Sequence, residues 1–311
     1  MQIFEGEHSV LCIHPIETKY KMEAKDTFFY RKNSINCAGK LISLDSPLVV
    51  GILNVSPESF YDNSSYLGSQ KVVERAKTIL DEGGSIIDIG AESTRPGSTP
   101  LTAGEELKRL IPAIRSIKEN FPEAIISADT SKAIVAEKAV EAGASIINDI
   151  SGGTFDKAMF NTIAALDVPY ILMHIKGKPE TMQKKPFYEN VVKEVMIYFS
   201  EKISTLKLLG VRDIILDPGF GFGKDLNHNF TLLNRLGDFK IFEFPIMAGI
   251  SRKRMINQVI NTTPKEALNG TTVANTLALL NGADFLRVHD VKQAVEAAKI
   301  VTFAQNIAKA C

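Results

Sequence analysis

Eight short apolar runs separated by amphipathic stretches, a helix-to-strand join that occurs three times, and a polar or ionisable residue closing nearly every run predict an α/β chain. The architecture that satisfies all three is a single (β/α)8 TIM barrel with a short N-terminal extension. A chain of 311 residues accommodates one barrel of about 250 residues. An open sheet with a second domain accounts less well for the joins EGGSIIDIG, EAGASIINDI and LNGADFLRVHD, each of which gives glycine, a small residue and an apolar strand. The expected division is an extension over 1–34, whose first 30 or so residues do not fit the alternation, and a barrel over 35–311.

The strands follow in order. PLVVGILN (47–54), IIDIG (86–90), AIISADT (124–130) and SIINDI (145–150) are four, and PYILMH (169–174), DIILDPG (213–219), FPIMAGIS (244–251) and DFLRVHD (284–290) are four more. Between them, stretches such as SQKVVERAKTILDEG and SKAIVAEKAVEAG space apolar residues by three and four and end on glycine, as helices do. Asn54, Glu92, Asp129, Asn148, His174, Asp217, Ser251 and Arg287 stand at or near the strand ends. In a barrel those ends meet on one face, where active sites are built.

Composition removes several classes of function. Lys plus Arg equals Asp plus Glu at 36 each, so no net field favours nucleic acid or an anionic membrane. Cys12, Cys37 and Cys311 are far apart and lack metal-ligand spacing, which points to reduced thiols. The first residues do not read as a signal peptide and no run has the length of a membrane span. A cytoplasmic enzyme is expected.

Chemistry concentrates in the loops after the strands. GILNVSPESFYDNSSYLG (51–68) puts the Asn54 carboxamide at a strand end and continues as a long polar loop of the kind that forms lids. GAESTRPGSTP (90–100) holds Thr94 and Arg95 by Pro96 and Gly97, a candidate anion loop. Asp129 and Asn148 end neighbouring strands and together offer fixed edges to a flat heterocycle, whereas Asp149 is expected to cap the next helix. AGISRKRMI (248–256) brings Ser251, Arg252, Lys253 and Arg254 to a helix start, and RVHDV (287–291) places Arg287 and His289 on the adjacent last strand. Basic groups after strands seven and eight mark phosphate sites in this architecture. The glycines of DPGFGFGK (217–224) follow strand six instead of opening the first helix of a dinucleotide unit, so they read as a tight backbone turn beside a ring. No Ser/His/Asp relay, HExxH or EF-hand pattern is present.

Taken in order, GILNVSPESF, GAESTRPG, ADTSK, NDISGG, LMHIKG, DPGFGFGK, SRK and RVHDV resemble the motifs of the dihydropteroate synthases, over about residue 35 to the C-terminus. The resemblance implies an enzyme of folate biosynthesis that joins 6-hydroxymethyl-7,8-dihydropterin diphosphate to p-aminobenzoate, releases diphosphate, uses Mg²⁺, is a sulfonamide target and forms a homodimer. It implies pterin contacts at Asp129, Asn148, Asp217 and Lys253. Diphosphate falls to Arg95, Arg287 and His289, with Asn54 at the metal. A p-aminobenzoate pocket is implied from Thr94, Arg95, Pro96, Phe222 and Lys253.

The chain departs from the family pattern at Ser56, Glu58 and Tyr61, and at Arg254, where the family usually has the serine of SRKS. Arg254 is expected either to pair with the p-aminobenzoate carboxylate or to turn outward. The alternative reading is a pterin-binding methyltetrahydrofolate methyltransferase module, which would leave STRPG, SRK and RVHD idle. A scaffold without catalysis would leave the polar strand ends unexplained.

Overall fold

The structure, a computed structural model, describes residues 32–55, 65–92, 100–179, 181–183 and 185–310. It opens with an antiparallel hairpin, β1 (Ser34–Cys37) and β2 (Lys40–Ser43). Ala38 and Gly39 both have positive φ, 51° and 87°, as a two-residue hairpin turn demands. The sequence expectation did not include this hairpin.

Eight parallel strands follow: β3 (Leu48–Asn54), β4 (Ile86–Gly90), β5 (Ile126–Asp129), β6 (Ile146–Asp149), β7 (Tyr170–Met173), β8 (Ile214–Asp217), β9 (Met247–Ala248) and β10 (Phe285–Val288). Each of β3 to β7 pairs with the next, and β10 pairs with both β3 and β9. A parallel bridge between Leu216 and Ile246 joins β8 to the approach to β9 and nearly closes the barrel. All eight expected strands are present, each shorter than or equal to its apolar run.

The described helices are α1 (Ser65–Asp81), α2 (Ala103–Asn120), α3 (Ala133–Glu141), α4 (Met159–Leu166), α5 (Val191–Leu208), α6 (Leu226–Asn234), α7 (Arg254–Ile260), α8 (Leu268–Leu280) and α9 (Val291–Ala310). The repeated joins have one physical cause. Gly83, Gly143 and Gly282 stand just past α1, α3 and α8 with φ of 89°, 115° and 96°, the left-handed turn that ends a helix and that glycine adopts without strain.

Side chains two apart on a strand share a face, and this divides the barrel lumen into two layers. Toward the strand starts, Val50, Ile86, Ile146, Ile171, Ile215, Met247 and Phe285 form one buried apolar cluster. Ile35, Cys37 and Leu44, from the hairpin and the residue after it, belong to the same cluster and close that end. Two residues further along the same faces come Asp88, Asn148, Asp217 and Arg287. Burial pushes the Cys37 thiol up to about 12, so it is a packing group and not a nucleophile.

Ile35 is fully buried. Ile35→Ala should therefore cost about 2–5 kcal/mol, read as a lower urea midpoint with an unchanged m value; an unchanged midpoint would mean that the hairpin does not seal the barrel.

Candidate active site

The polar layer is organised by one cation. Arg287 on β10 donates from Nε to Asp88 Oδ2 on β4 at 2.6 Å and from Nη2 to Asp129 Oδ2 on β5 at 2.7 Å. A planar guanidinium suits two carboxylates from different strands because its donors leave in fixed directions. Asp88 is fully buried. It also accepts from Ser127 Oγ at 2.6 Å and from Asn148 Nδ2, 3.3 Å from both carboxylate oxygens. Two carboxylates, one fully buried and one half-buried, thus share one guanidinium. Burial first, reinforced by the like charge of Asp88 and opposed by Arg287, pushes Asp129 up to about 7.

Beside this cluster, β8 ends at Asp217, whose Oδ1 accepts from the Gly219 amide at 2.7 Å. Gly219 and Gly223 are required by space as well as by their positive φ: a Cβ would stand 1.9 Å from the His174 carbonyl oxygen and 2.2 Å from that of Lys176. The loop after β8 is thereby laid flat against the loop after β7. Lys253 reaches in from the end of β9, donates to the Phe220 carbonyl and lies 4.7 Å above the Phe222 ring. Burial lowers its amine to about 8, with Asp217 acting in the opposite direction.

Gly249 marks the point where these groups converge. A Cβ there would lie 3.7 Å from Asp217 Oδ2 and 3.9 Å from both Arg287 Cβ and Lys253 Nζ. With no side chain of its own, Gly249 leaves a space bordered by the Asp217 carboxylate, the stem of Arg287 and the Lys253 amine.

His289 continues the Arg287 strand. Its Nδ1 is 3.0 Å from Ser251 Oγ, and its backbone amide donates to the same oxygen at 3.2 Å. Burial, helped by the positive charge of Arg287, lowers the imidazole to about 4, so near pH 7 it is neutral and can donate one N–H. Arg252 is fully engaged elsewhere: Nε and Nη2 hold Asp290 at 2.9 and 2.7 Å, and Nη1 holds the carbonyls of Pro264 and Lys265 at 2.7 Å each. The basic run of SRKR is therefore divided between structure and site.

A family model described as pterin binding enzyme matches residues 50–289. The dihydropteroate synthase of Escherichia coli K12 is 43% identical over 265 residues, 85% of this chain and 93% of that protein. The dihydropteroate synthase of Synechocystis is 40% identical, over 81% and 88% of the two chains. The chain belongs to the pterin-binding enzymes, in their dihydropteroate synthase family. It is accordingly a transferase of folate biosynthesis, and its relatives favour this over the methyltransferase alternative. Among solved structures, the Yersinia pestis dihydropteroate synthase with a sulfonamide drug complex superposes with a TM-score of 0.81 at 37% identity, covering 88% of this chain and 99% of that one. The Xanthomonas albilineans dihydropteroate synthase with 4-aminobenzoic acid gives 0.81 at 36% identity, over 88% and 98%.

Of the expected site residues, Asp217, Lys253 and Arg287 meet at Gly249, Asp129 and Phe222 touch Arg287 and Lys253, Asn148 is joined to Arg287 through Asp88, and His289 adjoins them on β10. Asn54 ends β3 with its side chain exposed. Thr94, Arg95 and Pro96 lie outside the described residues, as do Ser56, Glu58 and Tyr61 in the loop expected to form a lid. Arg254 is the first residue of α7 and is exposed.

Three strand-end expectations change. Glu92 does not join the Arg287 cluster; it takes Lys132 Nζ at 2.6 Å, shared with buried Glu106 at 2.6 Å. His174 turns away, with Nδ1 2.9 Å from buried Lys224. Asp149 caps no helix: it accepts from the Ser151 and Gly153 amides at 2.7 and 2.8 Å and from Tyr170 Oη at 2.7 Å, because the turn after β6 presents donors closer than any helix does.

The sequence reading missed Asp88, the hub of the cluster. Its signal was present in IIDIG, an ionisable residue inside an otherwise apolar run and on the same face as the strand's last residue. Asp88→Asn removes the like charge and leaves Arg287 to Asp129 alone. The carboxyl carbon of Asp129 should then titrate clearly below 7 by NMR, and an unchanged midpoint would show that the two acids are not coupled.

Proposed function

We propose that the space at Gly249 receives 6-hydroxymethyl-7,8-dihydropterin diphosphate, and that p-aminobenzoate enters beside Phe222 and Lys253 to displace diphosphate. The observation that carries this reading is the juxtaposition of an edge-reading set, Asp129, Asn148, Asp217 and Lys253, with a cationic strand end, Arg287 and His289. A pterin presents amino and amide edges that need fixed acceptors and donors. A leaving diphosphate needs positive charge and N–H groups placed in advance.

In the reaction the bond from the pterin methylene to the diphosphate oxygen breaks with its electron pair leaving on diphosphate. The lone pair of the aromatic amine forms the new C–N bond, and the amine then loses a proton to solvent. Arg287 and the neutral His289 receive the developing charge, with Arg95 assigned to the same task. The amine is already neutral near pH 7, so the site supplies orientation and not a strong base. Thr94, Pro96, Phe222 and Lys253 are assigned to the p-aminobenzoate pocket.

Mg²⁺ fits this site as an ion accompanying the diphosphate. Among the described residues no group of three or more His, Cys, Asp or Glu side chains could hold a metal, whereas Mg²⁺ commonly keeps its waters and rests on few protein ligands plus substrate phosphates. Asn54, a neutral carboxamide exposed at the end of β3, would hold it, and the ion would neutralise charge on the leaving group. Among the described residues no helix is long and apolar enough to cross a membrane, and we place the enzyme in the cytoplasm.

The same reading includes a homodimer. Val273, Leu277 and Leu280 on α8 and Ile300, Phe303 and Ile307 on α9 are exposed at helical spacing on two adjacent helices, an apolar stripe that a second copy would cover. Sedimentation velocity should give twice the chain mass of 34.1 kDa; the mass of one chain would remove the dimer.

Incubation with the pterin diphosphate, Mg²⁺ and p-aminobenzoate should release diphosphate and form dihydropteroate, and the absence of p-aminobenzoate-dependent product would defeat the reading. Exposed Arg254 is assigned to the p-aminobenzoate carboxylate. Arg254→Ser should raise KM for p-aminobenzoate about tenfold, the value of one charge-assisted contact of about 1.4 kcal/mol, with KM for the pterin unchanged. An unchanged KM for p-aminobenzoate would mean that the side chain turns outward.

A further inference from the structure

The lysine that closes DPGFGFGK is buried and has no part in the chemistry above. Lys224 is only 2% exposed. Its Nζ lies 2.9 Å from the Gly219 carbonyl, 3.0 Å from the Phe222 carbonyl and 2.9 Å from Nδ1 of His174. Burial holds the His174 ring well below its usual range, so it is neutral and its ring nitrogen can accept. This amine, held well below the ordinary lysine range by burial, therefore meets four acceptors: two carbonyls of its own loop, and the ring nitrogen and, at 3.4 Å, the carbonyl of His174 at the end of β7.

The surrounding pattern is unusual for a loop. Gly219 and Phe222 give their carbonyls to Lys224, Phe220 to Lys253, Gly221 to Gln183 and Gly223 to Tyr188 Oη at 2.9 Å. Five consecutive carbonyls are each taken by a side chain, where a helix or sheet would use backbone amides. A buried carbonyl must find a partner, and glycines at 219, 221 and 223 have little conformational preference of their own. The shape of this loop is set by its partners: the Phe222 amide donates to the Gly219 carbonyl at 3.1 Å, and among the side chains of the described residues Lys224 takes carbonyls at both of these positions.

Those two ends face different substrates. Asp217, whose carboxylate is fixed by the Gly219 amide at 2.7 Å, is assigned to the pterin, and Phe222 to p-aminobenzoate. Resting on that assignment, we infer that Lys224 is a positioning residue that holds Asp217 and Phe222 in register, so that one buried side chain sets the affinity for both substrates. It acts through the Gly219 and Phe222 carbonyls and touches neither substrate.

Steady-state kinetics with each substrate varied in turn tests this, on wild type, Asp217→Asn, Phe222→Ala, Lys224→Met and Lys224→Gln. Asp217→Asn should raise mainly KM for the pterin diphosphate and Phe222→Ala mainly that for p-aminobenzoate. Lys224→Met should raise both by about tenfold or more. Adding Lys224→Met to Phe222→Ala should raise KM for p-aminobenzoate less than the product of the two single effects, because the two act through one contact. Lys224→Gln keeps two N–H donors at shorter reach and should recover part of both losses, which also serves if Lys224→Met does not fold. A purely structural lysine would instead lower the melting temperature and the active fraction with both KM values intact, and that result, or a change in one KM alone, would overturn the inference. A wild type without p-aminobenzoate-dependent product would overturn the reaction itself, and an active wild type with an unaffected Lys224→Met would overturn only the role of Lys224.

Discussion

The site depends on one cation held between a buried acid and a half-buried one. Arg287 spans the barrel lumen from β10 to Asp88 and Asp129 at 2.6 and 2.7 Å, and Asp88 in turn orients Asn148 and Ser127. A charge taken out of water is tolerated only where its partners are close and well aimed. Removing any member would strand another. Asp129 and Asn148, assigned to the heterocycle, and Arg287, assigned to its leaving diphosphate, are therefore parts of a single bonded network.

That network has a place to form because the strands change character along their length. Ile86 and Asp88, Ile146 and Asn148, Ile215 and Asp217, and Phe285 and Arg287 are pairs two residues apart, each pair on one face of a strand. The first member packs into the apolar layer sealed by the hairpin at Ile35 and Cys37, and the second carries the polar layer. Stability and chemistry are thus separated by about 7 Å along each strand, two residues of rise.

Much of this was legible in the sequence. Eight apolar runs with polar ends specify the barrel and the face that carries its chemistry, and the EGG, EAG and LNG joins record a left-handed helix ending. Asp129, Asn148, Asp217, Lys253 and Arg287 follow from their places at strand ends. The rest depends on geometry that spacing does not encode. Asp88 lies mid-strand, and only its position across the lumen from Arg287, 199 residues away in sequence, reveals it as the hub. His174 and Glu92 stand where site residues stand, yet each turns to a lysine, Lys224 and Lys132. The apolar stripe of α8 and α9 became visible only once the two helices were seen side by side.

Under the proposed function, Arg287 serves the heterocycle through Asp88 and Asp129 as well as the diphosphate directly. Titration calorimetry of Arg287→Lys with a pterin lacking the diphosphate, and separately with inorganic diphosphate and Mg²⁺, tests it most directly. A lysine keeps the charge but cannot hold both acids with the same fork. Affinity for the pterin should fall about tenfold along with that for diphosphate, whereas loss of diphosphate binding with pterin affinity unchanged would mean that Arg287 does not act on the heterocycle through the two acids.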